Sequence, residues 1–338
     1  MANDWANDRL LRFMLALVEQ ESFRLASELL HTSLSNVSDT AQTFLEDSGL
    51  HLYYLDRRKQ VHLTRTGIAF REMVRPLFEA RDEVMTALEA IEQGKIRSLR
   101  LGCGTFVDPG AFRVACEIHK QYLPDCQIHP FFEDAAQLVS EVIAGDLDAA
   151  LVTLPVESKE LQIQEIRRDR LVVCLRADDP LARSASLRPA ELTGRPAVLY
   201  HPRLHPAAHA RLLEMLAEKG LQIEERSRVS HPTEIQQLIV EGYGLSLIRE
   251  GTALHPGLIT RPITGVTWTV DTAFIYHGEH HPKTMPVLAR DLRKQFSVQA
   301  KKPPVRAAIA ASNEVAKRAP QPEKRMPEQL TLPGLTVQ

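Results

Sequence analysis

Apolar residues recur every three or four positions from Asp8 to Gln20, at Leu10, Leu11, Met14, Leu15, Leu17 and Val18. That spacing predicts an amphipathic helix with one wide buried face. Ser22 can cap a second helix that turns Phe23, Ala26, Leu29 and Leu30 inward. After a break at His31-Thr32, Ser33 can cap a third, with Val37, Ala41 and Phe44 on its buried face and Gly49 ending it. Leu52-Tyr53-Tyr54-Leu55, a charged tip from Asp56 to Gln60, and Val61-His62-Leu63-Thr64 then read as a hairpin. Three short helices and a basic hairpin outline a winged helix-turn-helix, assigned to residues 1–67.

A long helix is expected from Gly67 to Gln93, with residues 68–97 as a linker and dimerisation segment. Phe70, Val74, Leu77, Val84, Leu88 and Ile91 fall on a seam of three- and four-residue steps, broken by the polar Arg81. Such a seam on a charged helix implies a partner helix, hence a homodimer or homotetramer. A helix packed on its own domain is the alternative. Pro76 is expected to kink this helix or mark its real start, because it removes a backbone hydrogen bond.

From Leu99 the period changes to alternating strands and helices. Strands are expected at 99–103, 127–131, 149–152, 171–175, 198–200, 227–229, 245–248 and 267–276. Helices are expected at 108–122, 135–144, 207–219, 233–241 and 284–296. The fold class is therefore multi-domain α/β, with parallel sheets covered by helices. Two blocks suggest two lobes within residues 98–296: lobe I at about 98–169 and 260–296, lobe II at about 170–259. Residues 297–338 carry seven basic and three acidic side chains without apolar period, and read as a disordered basic tail.

Composition narrows the class. With 44% hydrophobic and 25% charged residues the chain is globular and soluble. No run approaches the roughly 18 apolar residues of a membrane span, and no signal peptide is readable, so no membrane partner and a cytoplasmic location are expected. A formal charge of −2 says little about partners, and 6% aromatic residues argue against a stacking platform. Cys103, Cys116, Cys126 and Cys174 form no metal-ligand pattern and read as buried thiols. His201, His205 and His209 share helical spacing, but no carboxylate or thiol lies nearby and Pro206 interrupts them. No metal, cofactor or catalytic set is expected, so the chain does not read as an enzyme.

Residues 22–49, from Ser22-Phe23 through Ala26-Ser27, Leu30, Ser33 and Ser38 to Gly49, resemble the LysR-type regulator pattern without a gap. Leu63-Thr64-Arg65-Thr66-Gly67 resembles that family's entry to its linker helix. The likeness covers about residues 8–296 and is sharpest over 22–67. It implies a DNA-binding transcription regulator gated by a small-molecule effector held in a two-lobed, periplasmic-binding-protein-like domain. Departures are specific: Leu34-Ser35 replaces a common Gln-Pro pair, and Asp39 stands where a basic residue is usual.

Ser33 to Ser48 holds no Lys or Arg. Phosphate neutralisation supplies much of the affinity for DNA, so base reading would fall to Ser33, Asn36, Ser38, Thr40, Gln42 and Thr43, with Asp39 able to accept from a cytosine amino group. Phosphate contacts would fall to Arg57, Arg58 and Lys59, helped by Arg24 and Arg65. A solvated helix face is the bland reading of the same residues. A family member with weakened DNA binding, acting through protein partners, is the competing function; an exported solute-binding protein would have no use for residues 1–67.

The resemblance also implies an effector cleft between the lobes, where strand ends meet helix starts. Thr105, Thr153 and Thr233 carry over to it, as do Tyr200, His201 and His231. Each threonine could instead be a helix cap. Gly242-Tyr243-Gly244 resembles the family's turn before a strand, its glycines relieving backbone strain.

Overall fold

The computed structural model describes residues 6–299. The expected basic tail therefore lies, for residues 300–338, outside the described residues.

Three helices form as their caps and apolar stripes dictate. Asn7 accepts from Leu10 N at 3.0 Å and starts α1 (Asp8–Gln20). Ser22 accepts from Leu25 N and starts α2 (Phe23–Leu29); Ser33 accepts from Asn36 N at 3.1 Å and starts α3 (Leu34–Ser48). Gly49, at φ 69°, ends α3 in the left-handed region. Met14, Leu17, Ala26, Val37, Ala41 and Phe44 form the shared core, in which Phe44 is fully buried. Leu29, expected to face inward, is 54% exposed; Leu30 packs on the core beside it.

Strands β1 (Tyr53–Leu55) and β2 (Val61–Leu63) pair antiparallel as the wing. Thr64 then caps α4 (Arg65–Glu92) by accepting from Gly67 N at 3.0 Å. A Cβ at Gly67 would lie 1.9 Å from the Leu52 carbonyl oxygen, so only glycine lets α4 approach the wing this closely. The helix continues through Pro76, which does not mark its start.

The seam on α4 differs from expectation. Phe70 is buried against Phe44, ring centroids 5.8 Å apart, and Val74 packs on the same core. Those two positions are occupied within the chain. Leu77 (58%) and Leu88 (52%) are exposed, as are Met73 and Met85; Val84 and Ile91 are half-buried.

Lobe I contains β3 (Ser98–Gly104), α5 (Pro109–Tyr122), β4 (Gln127–Glu133), α6 (Ala135–Ala144) and β5 (Ala149–Thr153). Strand β3 runs parallel to β4 and β5. The 16-residue β6 (Leu161–Arg176) then crosses to lobe II. Lobe II holds β7 (Pro196–Tyr200), α7 (Pro206–Glu218), β8 (Glu224–Val229), α8 (Pro232–Val240), β9 (Ser246–Arg249) and β10 (Leu258–Arg261). Strand β11 (Thr269–His277) returns to lobe I, and α9 (Met285–Gln299) follows.

The sheets are mixed rather than purely parallel. Residues 161–170 of β6 pair antiparallel with β11, and residues 171–176 pair antiparallel with β9 and β10. Residues 161–170 and the whole of β10 were not expected as strands. β10 pairs with Val173 to Arg176, and Ile263 and Trp268 enter the core around Val173 and Leu199, so the chain returns to lobe I at Thr269 rather than near residue 260. Gly244 adopts φ 137°, and a Cβ there would meet the Pro196 carbonyl oxygen at 2.1 Å, which is why the turn before β9 takes glycine.

Candidate functional site

Two surfaces carry the sequence-predicted residues. On α3, Ser38, Asp39, Gln42 and Thr43 are exposed, and Asn36 and Thr40 are half-buried. Ser33 is spent on the helix cap, its hydroxyl also 3.0 Å from that of Ser35. Asn36 donates its amide to Thr32 Oγ1 at 2.8 Å, and Gln42 donates its own to Glu46 Oε1 at 2.7 Å. At the wing tip, Arg57, Arg58 and Lys59 are all exposed.

The tip is shaped by a residue that sequence reasoning passed over. Asp56 Oδ1 accepts from the backbone N–H groups of Arg58 and Gln60, each at 2.8 Å, while Oδ2 lies 3.3 Å from His62 Nε2. The Gln60 N–H first, and then His62 and Arg58, hold its carboxyl below the usual range. Lys59 takes φ 59°, closing the turn. The Asp-x-x-x-Gln tip, a carboxylate facing two orphan N–H groups, was the available signal.

The second surface lies where strand ends of the two lobes meet. His205 caps α7 through Nδ1, which accepts from Ala208 N at 3.2 Å, and its Nε2 donates to the Thr153 carbonyl at 2.6 Å. Those two bonds fix the neutral tautomer with the proton on Nε2, and burial pulls the pKa of this imidazole down. Thr153 is buried, with no hydrogen-bond partner for its hydroxyl. Tyr200 meets Phe106 at 4.1 Å between ring centroids.

Beneath those rings lies a charge cluster. Arg249 donates to the Phe106 carbonyl at 2.7 Å, and its Nε stands 3.1 Å from Asp169 Oδ2. Although close, those two atoms lack hydrogen-bond alignment. Arg167 bridges Asp108, the cap of α5, at 2.5 Å and Asp169 at 2.8 Å. Burial pushes the Asp169 carboxyl up and the Arg249 guanidinium down, and the mutual attraction opposes both shifts. The cluster is two cations against two anions.

The other sequence-predicted cleft residues are less central. Thr105 is half-buried and bonds the Glu133 carbonyl through N at 3.2 Å and Oγ1 at 3.4 Å. His201 Nδ1 accepts from Arg203 N at 3.1 Å. His231 and Thr233 are exposed at the start of α8; His231 is the cap residue, and Glu234 takes the N–H groups of Ser230 and His231. Arg249, Asp169, Arg167, Asp108, Phe106 and His205 were not named from sequence as cleft residues, since a buried charge looks like any other until its partner is known. A groove of about 460 Å³ beside Leu154, Met215, Trp268 and Asp271 contains none of the predicted residues. Cys103, Cys126 and Cys174 are buried and Cys116 half-buried. Burial pushes the Cys103 thiol up to about 12 and Cys174 to about 11, away from a reactive thiolate. Among the described residues, no group of three His, Cys, Asp or Glu is placed to hold a metal, and no helix is long and apolar enough to cross a membrane.

Residues 92–297 match the family model of the LysR substrate binding domain. The Hca operon transcriptional activator HcaR of Escherichia coli K12 is 28% identical over 186 residues, 55% of this chain and 62% of that protein. BudR of Raoultella terrigena, an HTH-type transcriptional regulator, is 23% identical over 284 residues, 82% of this chain and 97% of that protein. Among solved structures, full-length BenM superposes with a TM-score of 0.55 at 19% identity, covering 88% of this chain and 99% of that one. Full-length CbnR complexed with its target DNA gives 0.52 at 18% identity, covering 85% and 98%. The chain belongs to the LysR family. It is a transcriptional regulator with an N-terminal winged helix-turn-helix and a two-lobed effector-binding domain, not an enzyme.

Proposed function

We propose that this regulator, in the cytoplasm, reads duplex DNA with the outer face of α3 and the Arg57-Arg58-Lys59 wing tip, and senses a small molecule between its lobes. The observation that carries the sensor reading is the pair of bonds, His205 to Thr153 and Arg249 to Phe106, that cross between the lobes at the strand ends. A ligand entering there exchanges these contacts for its own, which biases lobe closure. In this reading Thr105, Thr153, Tyr200, His201, His231 and Thr233 are the residues that meet the effector. Two copies associate through α4, chiefly the exposed Leu77 and Leu88 with the half-buried Val84 and Ile91, and present two recognition helices to two half-sites. Selection of bound DNA from a random duplex pool by the full chain, with and without cell extract, tests the reading. A two-fold symmetric site with arms one or two helical turns apart supports it. Failure to enrich any duplex would move the function to protein partners.

A further inference from the structure

The outward stripe of α3 consists of Ser35, Asp39, Gln42 and Glu46, at i, i+4, i+7 and i+11, directly opposite the buried Val37, Ala41 and Phe44. Its hydrogen-bonding capacity is lopsided. One N–H of the Gln42 amide is committed to Glu46, leaving its second N–H, the Gln42 carbonyl oxygen and two carboxylates outward. Asn36 likewise spends one of its two amide N–H groups on Thr32. No Lys or Arg lies anywhere from Ser33 to Ser48. Apart from the Ser35 hydroxyl and one Gln42 N–H, the stripe offers acceptors, and its only charges are the two carboxylates.

We propose that Asp39 is the specificity-determining residue of this surface and that it selects cytosine, through the N4 amino group, in each half-site. The inference rests on the reading of α3 as the DNA-reading helix. A guanine edge in the major groove shows two acceptors, N7 and O6, and repels a carboxylate. Adenine shows one amino donor between its own N7 and the thymine O4, so a group with no donor meets one attraction and two repulsions. Cytosine shows its amino group between the O6 of the paired guanine and its own apolar C5–H, so the same group meets one attraction and a repulsion on one side only. A carboxylate at the centre of the helix face is therefore best matched there, and it disfavours guanine at the same place. Asp39 lies in the N-terminal half of α3, one turn after Ser35 and beside the exposed Ser38, in the part of the helix that meets base edges in such a motif.

The experiment selects duplexes with the full-length wild type and with Asp39→Asn, then measures each winner by anisotropy. Asp39 is exposed, so equal thermal midpoints are expected and serve as the folding control. In the wild type, replacing one half-site C·G pair by T·A should weaken binding by roughly 5- to 150-fold. Asp39→Asn, which gains a donor, should change that cytosine to adenine and leave other positions as they were. If both proteins select the same base at every position, Asp39 does not set specificity, although DNA reading by α3 stands. If the wild type enriches no duplex at all, the reading of α3 falls and this inference with it.

Discussion

Arg249, at the end of β9, donates to the carbonyl oxygen of Phe106 in the loop after β3, at 2.7 Å. The bond ties lobe II to lobe I, and its donor also stands beside Asp169 on the strand that crosses between them. Arg249→Met should therefore loosen the lobes and leave Asp169 with Arg167 as its remaining cation. The stability loss should be about 1.5–3 kcal/mol, the range for a hydrogen bond to a charged group, and below the roughly 3–5 kcal/mol of a buried charge left with no partner. Denaturant unfolding measures it. An unchanged midpoint would mean that the cluster contributes no net stability.

His205 gives the interlobe contact a pH dependence. Its folded pKa lies below the ordinary 6.5 because burial disfavours the imidazolium. A lowered histidine contributes stability that is present above the unfolded value and is lost as pH falls through 6.5 towards the folded value. The wild type should lose more stability than His205→Asn on going from pH 7.5 to below about 6. His119 and His281, also shifted down, are common to both proteins and cancel in the difference. Parallel stability curves would remove His205 from the account.

Gly67→Ala should cost more than Gly49→Ala. At Gly67 the added carbon strikes backbone at 1.9 Å, whereas at Gly49 the space is open and only the φ of 69° is unfavourable. The Gly49 change should cost about 1 kcal/mol, and the Gly67 change at least about 2 kcal/mol with loss of DNA binding. Chemical denaturation and anisotropy on both variants separate them. Equal losses would contradict the close approach of α4 and the wing.

The two ends of the α4 seam should respond differently to charge. Leu88→Asp should dissociate the oligomer and leave each chain folded, because Leu88 is exposed within the chain. Phe70→Asp should unfold the helix-turn-helix, because Phe70 is buried against Phe44. Sedimentation velocity with circular dichroism distinguishes the outcomes. An unchanged oligomer in Leu88→Asp would eliminate this face of α4 as the interface.

The helix-turn-helix was legible because its signals are local. Ser22, Ser33, Thr64 and Gly49 occupy cap positions, and the apolar period lies between them. The same local logic misled at Phe70 and Val74, where a three-four spacing serves a core in its own chain as well as it would a partner helix. Residues 161–170 of β6 were not expected as a strand; they include Arg167, Arg168, Asp169 and Arg170, four charges in succession. They sit in a strand because their partners, Asp108, Arg249 and Asp271 among them, lie far away in sequence. For the same reason the interlobe cluster of Asp108, Arg167, Asp169 and Arg249 was not foreseen.

The central claim, that α3 and the wing read DNA, is tested most directly by fluorescence anisotropy of the wild type on a selected and a scrambled duplex across a salt series. A regulator making six to ten phosphate contacts loses roughly 10³–10⁵-fold in affinity between 50 and 200 mM salt. With no cation on α3 and three at the wing tip, this protein should prefer the selected duplex and lose less than about 10³-fold over that range. Replacing Arg57, Arg58 and Lys59 together by Ala should remove most binding to the scrambled duplex. Binding to neither duplex at 50 mM salt, with cell extract supplying effector, would contradict the account.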